Sequence, residues 1–355
     1  MLPFADHRTD PAAWATQLGI SREAIDLYLA SDVIDLHIDS FIWTRVFGYD
    51  LTRRHGHGLF EASFYSQVDL PRIREAQVTG GIWAITTNPL RSSKARARQF
   101  WKNLEQLRGI FAGCAEDVSV VRTAGEYRAA RTAGKHAAFF GIQGGNALDA
   151  DGELEKIPDR LILRITLVHL NNSPLGSTSA PVKMRNAGLT TRGQDYVRRL
   201  NAQRIFVDLA HISRKGFFQA VEVHDRMQPL IVTHTGVTGV HPHWRNLDDE
   251  QLRAIAETGG TVGVMYQSSF LGDPTFGGRA SSIVDHLEHI MKVAGEGCAS
   301  LGSDWDGAIV TPRDLPTCLE LPRLVQIMLE RNWRPEVIRG VLGGNFLRSL
   351  EALRG

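Results

Sequence analysis

The chain contains very little cysteine. Its 355 residues include only Cys114, Cys298 and Cys318, and no two of them have the close spacing of a zinc knuckle or a redox motif. This usage indicates free thiols in a reducing compartment rather than a disulfide framework. We therefore expect the three cysteines to be chemically inert.

A charge imbalance and a long apolar run are also missing. Forty basic residues face thirty-nine acidic ones, so nothing electrostatic favours a nucleic acid or a membrane surface as partner. No stretch approaches the ~20 apolar residues of a membrane helix, and the first twenty residues lack the pattern of a secretory signal. The sequence predicts a cytoplasmic protein whose partner is a small molecule.

Short apolar runs recur along the chain with helix-like segments between them. Most are nearly continuous in apolar residues, which is typical of parallel strands covered on both faces. The eight runs are 33–39, 80–86, 136–142, 161–169, 205–211, 229–235, 261–267 and 299–304. Intervening segments such as 193–204 and 247–260 have helical patterns. With no linker between the units, the sequence predicts an α/β fold, a single (β/α)8 TIM-like barrel, with a doubly wound open sheet as the alternative.

The two ends of the chain lie outside this repeat. Residues 1–32 are predicted to be a helical N-terminal extension, with helix starts at Asp10-Pro11 and at Ser21. Residues 33–355 then form the barrel domain. Its tail, 335–353, is predicted to be closing helices interrupted at Gly343-Gly344.

Histidines and acids repeatedly stand where the predicted strands end. They are His37, Asp39, His169, His211, His234 and Asp304, with Gln143 directly after the third run. In a barrel these positions converge on one mouth, and imidazole and carboxylate are the ligands of zinc and similar ions. Side chains two positions apart on a strand point the same way, so His37 and Asp39 can share one ion. The sequence therefore predicts a metal site, in which Asp304 is a ligand or a general acid/base.

Other polar residues have simpler interpretations. Asp306 in "GSDWDGA" is typical of a turn or a helix cap. His286 and His289 lie on a helix and are predicted to be packing or surface residues, and His55 flanks glycine in a loop. No glycine-flanked nucleophile elbow and no Walker or dinucleotide fingerprint appears, which disfavours a serine hydrolase and a nucleotide enzyme.

Ordered blocks along most of the chain resemble the membrane (renal) dipeptidases, a family of zinc peptidases on a TIM-like barrel. The blocks include "DLHID", "GIQGGNAL", "RITLVHLNNSPLG", "VDLAHIS", "THTGVTGV" and "GSDWDG", in the order found in the family. The resemblance implies hydrolysis of dipeptides by a metal-activated water, with one or two zinc ions. It also suggests a homodimer.

The resemblance implies a role for each matching residue. His37 and Asp39 match the ligands of one zinc ion, and His211 with His234 those of the second. His169 matches a residue that orients or polarises the substrate carbonyl, Arg245 one that binds the substrate carboxylate, and Asp304 the acid that handles protons. His241 and His243 are expected to shape the mouth of the pocket.

The chain departs from the family at "QGGN", where the family usually has "EGGH". Gln143 thus stands in place of a glutamate that bridges the two ions, and an amide has one good oxygen and no charge. Two dications about 3.5 Å apart repel by about 19 kcal/mol at an effective dielectric of about 20, so lost anionic charge weakens the pair. Three outcomes stay open: a dipeptidase with altered metal dependence, a hydrolase of another amide-like bond, or a barrel that binds a small molecule without turnover.

Overall fold

The computed structural model describes residues 2–58, 60–181 and 187–355. The strands are β1 (Ile34–Ile38), β2 (Gly80–Thr86), β3 (Val118–Val120), β4 (His136–Gln143), β5 (Ile162–Thr166), β6 (Phe206–Asp208), β7 (Ile231–Thr235), β8 (Thr261–Val264) and β9 (Ala299–Leu301). The helices are α1 (Pro11–Leu18), α2 (Arg22–Leu29), α3 (Phe41–Phe47), α4 (Leu70–Glu75), α5 (Ser93–Gly113), α6 (Ala124–Thr132), α7 (Thr191–Ala202), α8 (Arg214–Val223), α9 (Asp249–Ala256), α10 (Ala280–Ala294), α11 (Pro322–Glu330), α12 (Pro335–Arg339) and α13 (Asn345–Arg354).

Eight of the strands form one nearly closed parallel barrel. Their order is β1-β2-β4-β5-β6-β7-β8-β9, and every adjacent pair is parallel. The ends of this order meet just beyond β9, where Trp305 O accepts from Asp39 N at 2.8 Å and His37 O accepts from Asp304 N at 3.1 Å. The predicted (β/α)8 barrel is confirmed.

Strand β3 was not predicted from the sequence. Its three residues pair with the first half of β4, but β3 is not one of the barrel strands. Val120 is 37% exposed. So short and half-exposed a strand has no periodicity for sequence reasoning to detect. Four predicted strands are also shorter than expected, because the runs 161–169, 205–211, 261–267 and 299–304 continue into loops.

The N-terminal helices begin at the predicted residues. The Asp10 side chain accepts from Ala13 N, with Pro11 in the first turn, and Ser21 accepts from Ala24 N. Helix α2 packs against α11, and Tyr28 of α2 donates to Ala76 O at 2.7 Å. The domain boundary between residues 32 and 33 stays a prediction.

The predicted interruption of the tail is a π-helical turn at Gly340–Gly344, which joins α12 to α13. Gly343 must be glycine, since a Cβ there would lie 2.7 Å from Asp32 O. This approach lets α13 cover the N-terminal end of the barrel, where Phe346 packs against Phe139 and Phe206. None of the described helices has both the length and the apolar character needed to cross a bilayer.

Candidate metal centre

The structure brings the predicted site residues together at the carboxyl ends of the strands. His37 lies in β1, Gln143 ends β4 and His234 lies in β7. His169, His211 and Asp304, which were expected to end strands, instead lie three residues beyond β5, β6 and β9. These three residues still lie near the others, because the loops that carry them turn back over the barrel.

Two of these loop residues have a left-handed backbone. The φ angle is 65° at His211 and 65° at Asp304, a region that non-glycine residues rarely adopt. Such a conformation costs of the order of 1–3 kcal/mol and persists only where the surroundings fix it. Both residues are therefore held in place by the fold around them.

Imidazoles and carboxylates form a tight, buried cluster. His211 Nε2 lies 2.9 Å from His234 Nε2. His37 Nε2 lies 3.5 Å from Asp39 Oδ2 and 3.6 Å from Asp304 Oδ1. One potential ligand atom each from His37, His234 and Asp304 lies within 4.8 Å of the others. This spacing suits side chains that surround a cation.

A layer of polar side chains beneath the cluster orients it. The Thr166 and Thr233 hydroxyls donate to Asp208 Oδ2 at 2.6 and 2.7 Å. Thr233 Oγ1 lies 2.9 Å from His234 Nδ1, so Nδ1–H donates to it and Nε2 keeps a lone pair that faces the site. Sequence reasoning missed Asp208, although it stands in an otherwise apolar strand.

Arg164 is the second residue that sequence reasoning missed. Its guanidinium is fully buried and donates to His37 Nδ1 at 2.7 Å. The available signal was the charge itself, a lone arginine inside the apolar run "LILRITLVH". An arginine in such a strand requires polar partners inside the barrel.

Gln143 lies beside His169. Its Nε2 is 3.1 Å from His169 Nε2. Its Oε1 is buried and has no hydrogen-bond partner among the described residues. A buried carbonyl oxygen without a partner is costly, so this atom is available to a ligand.

Burial sets the charge states of the cluster. It lowers the pKa of His169 to about 4 and holds the pKa values of His211 and His234 well below the ordinary value for histidine. These imidazoles are therefore neutral near pH 7, which metal ligation requires. Burial, reinforced by the nearby Asp39 carboxylate, raises the pKa of Asp304 well above its usual range.

The unpaired atoms test whether the site fits a metal ion. His37 Nε2, Asp39 Oδ1, Gln143 Oε1 and His211 Nδ1 are all buried without partners among the described residues. Oxygen and imidazole nitrogen donors of this kind suit zinc or a similar divalent ion. The residues fit at least one such ion.

A cavity of about 390 Å³ opens above the cluster. Its polar lining includes Asp39, Gln143, His169, His211, Arg245 and Asp304. Trp43, Trp244, Phe270 and Ile309 form an apolar wall. The volume suits a small molecule with one apolar and one polar side.

Arg245 also lines this cavity. It is 3% exposed, and its Nη2 donates to His234 O at 2.6 Å. Burial lowers its pKa to about 10, which still leaves the guanidinium charged at neutral pH. The remaining N–H groups can bind an anionic substrate group in a planar fork.

The other predicted polar residues have structural contacts. His243 stacks on Phe270, which lines the cavity, with ring centroids 4.2 Å apart. His286 packs as expected, with its Nδ1 accepting from Val237 N at 2.8 Å. Asp306 accepts from Ser40 Oγ and from Gln67 N and so ties two loops together. The three cysteines are buried.

Comparisons with known proteins identify the family and the fold. The sequence profile described as membrane dipeptidase (peptidase family M19) matches residues 21–354. Dipeptidase AC, a metallopeptidase of family M19, is 24% identical over 90% of this chain and 98% of its own, with a TM-score of 0.79. The probable dipeptidase PvdM from Pseudomonas aeruginosa is 18% identical over 94% and 98%, with a TM-score of 0.81.

A third solved structure carries a ligand. The metallopeptidase from Rhodobacter sphaeroides, solved with a phosphinate mimic of the dipeptide L-Ala-D-Ala, is 24% identical over 90% of this chain and 99% of its own, with a TM-score of 0.76. At these identities the structural likeness shows the fold alone.

Proposed function

The chain belongs to the membrane dipeptidase family, peptidase family M19, and on that premise we propose that it is a metal-dependent dipeptidase. One observation carries the proposal within the structure. His169, His211, Arg245 and Asp304 line a single cavity above a buried cluster that can hold an ion. These are the groups that hydrolysis of a small peptide needs in one place.

The candidate ligands are His37, Asp39, Gln143, His211 and His234, with Asp304 beside them. When bound, zinc or a similar divalent ion supplies Lewis acidity and activates water for attack at neutral pH. We expect one or two ions. The neutral imidazoles and the unpaired Gln143 Oε1 support this ligand set.

Asp304 is proposed to move the protons. Its raised pKa, together with its place at the cavity wall, suits a carboxyl group that takes a proton from the attacking water and gives it to the leaving amine. His169 lies on the same wall and is proposed to orient the scissile carbonyl. Neither role needs a serine or cysteine nucleophile.

Arg245 is proposed to bind the C-terminal carboxylate of the substrate. A buried guanidinium at the wall of a cavity of about 390 Å³ favours short substrates with a free carboxylate. The neighbour solved with a mimic of L-Ala-D-Ala suggests that substrates include dipeptides with a D-residue at the C-terminal position. The predicted homodimer and the predicted cytoplasmic location stay predictions.

The test is hydrolysis by the purified, zinc-loaded protein of a panel of L-L and L-D dipeptides, followed as release of free amino acid. We expect turnover of some members and little turnover of the matching dipeptide amides, which lack the carboxylate. The Asp304→Asn variant is the control, with an expected loss of about 10²- to 10⁴-fold in kcat. Release of amino acid from no member of the panel would contradict the proposal and favour a barrel that binds without turnover.

A further inference from the structure

Arg164 lies directly beneath the imidazole of His37, where both Nη groups have polar partners and Nε has none among the described residues. Its Nη2 donates to His37 Nδ1 at 2.7 Å, and its Nη1 donates to Thr166 Oγ1 at 2.6 Å and to Ile142 O at 3.0 Å. Asp208 Oδ2 lies 3.4 Å from Nη1. Imidazole, hydroxyl, carbonyl and carboxylate thus all face one guanidinium, which holds it in a single position.

The neighbouring strand leaves room for this guanidinium. A Cβ at Gly141 of β4 would lie 2.5 Å from Arg164 Nε and 2.9 Å from Arg164 Cζ. Any larger residue at 141 would therefore displace the arginine from His37. Arg164 in β5 and Gly141 in β4 together fix the position of the guanidinium.

The contact fixes which nitrogen of His37 carries its hydrogen. A guanidinium has only donors, so His37 Nδ1 must accept, and a neutral imidazole with an accepting Nδ1 carries its hydrogen on Nε2. That nitrogen faces Asp39 Oδ2 at 3.5 Å and Asp304 Oδ1 at 3.6 Å. A protonated Nε2 has no lone pair for a metal.

His234 has the opposite arrangement. Its Nδ1 donates to Thr233 Oγ1, whose own hydrogen goes to Asp208, so Nε2 keeps its lone pair. This nitrogen lies 2.9 Å from His211 Nε2. The short contact places a hydrogen on His211 Nε2, but this hydrogen can move to the unpaired Nδ1 of His211, so both imidazoles can offer a lone pair to an ion. His37 has no such freedom, because Arg164 donates to its Nδ1.

We propose that Arg164 prevents His37 from ligating and that its buried positive charge disfavours a second metal ion. The centre then binds a single divalent ion whose imidazole ligands are His211 and His234, and His37 keeps its Nε2 hydrogen, which faces the carboxyl groups of Asp39 and Asp304. The uncharged Gln143 also disfavours a second ion, since it offers no anionic bridge between two ions. The inference rests on the proposed function only in requiring that the site binds a divalent ion, and it removes His37 from the ligand set given there.

The decisive measurement is cadmium binding to the full-length protein with ¹⁵N-labelled histidine. Titration of metal-free protein with ¹¹³Cd²⁺ is expected to saturate at one equivalent and to show ¹¹³Cd–¹⁵N coupling to two imidazoles, those of His211 and His234. His37, assigned by the loss of its signal in a His37→Asn variant, is expected to keep a protonated Nε2 without coupling. Two bound equivalents, or coupling at His37, would overturn the inference.

A pair of arginine variants sharpens the test. Arg164→Met removes the donor, so His37 Nδ1–H can turn to Thr233 Oγ1, which lies 3.4 Å away, and Nε2 becomes a ligand. We expect a third coupled imidazole in this variant and none in Arg354→Met, which removes a buried arginine remote from the cluster. If Arg164→Met does not fold, the wild-type spectrum still decides.

The two proposals fail in different ways. A protein that holds two cadmium ions and hydrolyses dipeptides would overturn the inference and leave the proposed function standing. A protein with one coupled ion and no hydrolysis of any dipeptide would do the reverse. Absence of any bound cadmium would overturn the inference and remove the metal from the proposed function.

Discussion

The barrel buries an arginine near each end of β5, and the two have different partners. Arg354, at the N-terminal end of the barrel, donates to Ile162 O at 2.6 Å, to Arg160 O at 2.7 Å and to Arg204 O at 2.6 Å. Arg164, near the mouth, donates to one carbonyl, that of Ile142, but also to an imidazole and to a hydroxyl beside a carboxylate. Arg354 holds backbone segments together. Arg164 in addition determines which nitrogen of His37 carries the hydrogen.

The two ends of β4 repeat this contrast. His136, its first residue, is fully buried with both ring nitrogens paired, to Val78 O at 2.8 Å and to Trp83 Nε1 at 3.1 Å. Gln143, its last residue, leaves Oε1 without a partner among the described residues. Burial with all partners present indicates a structural role, and burial with one missing indicates a site for a ligand.

The largest effect on stability is expected from Arg354→Met. The change removes the donors of the buried Ile162 O and of two partly buried carbonyl oxygens, which should lower the free energy of unfolding by about 3–5 kcal/mol. Urea denaturation measures this loss. Arg348→Met on the same helix is the matched control, because Arg348 is exposed and its carbonyl contacts can be replaced by water. Equal losses in the two variants would show that the buried contacts of Arg354 carry no special stability.

His136 should make the protein sensitive to acid. Burial lowers its pKa to about 4, so the folded protein keeps it neutral while the unfolded chain binds a proton below the ordinary value of 6.5. Stability is then fully present above pH 6.5 and falls by about 3 kcal/mol as the pH decreases to 4.

The comparison that isolates this effect is His136→Asn, which keeps a donor for Val78 O but does not titrate. The variant is expected to be less stable at pH 7 and to lose about 3 kcal/mol less than the wild type between pH 7 and pH 4, measured by urea denaturation at each pH. Parallel pH profiles for the two proteins would exclude His136 as the source.

Local patterns predicted the parts of the fold that depend on neighbouring residues. Apolar runs located the eight barrel strands, and the Asp10 and Ser21 caps located two helix starts, because each signal lies within a few positions of the chain. The convergence of His37, His211 and His234 followed from barrel geometry once the strands were recognised. The family resemblance, rather than any local pattern, identified Arg245.

What the sequence did not reveal depends on contacts across the barrel. Arg164 faces Gly141 of one neighbouring strand and Asp208 of another, and nothing in the spacing of these residues shows that they meet. The hydrogen position on His37 follows from the same contact and is equally hidden. A charged residue in a buried strand was the available warning, but its partner could be found only in the folded chain.

The smallest effect, and the one that separates Gln143 from Arg164, is expected from Gln143→Glu. A carboxylate in place of the unpaired amide oxygen adds an anionic donor to the site and should tighten the first divalent ion by about tenfold. Dialysis with metal analysis measures both affinity and stoichiometry. Gln267→Glu is the matched control, since Gln267 lines the same cavity but its amide already bonds Val310 N and Ser269 Oγ.

We expect the number of ions bound by Gln143→Glu to stay at one, because Arg164 still donates to His37. If this variant binds two ions, then the charge at position 143 and not the buried guanidinium sets the number of metals, and Arg164 would be as purely structural as Arg354.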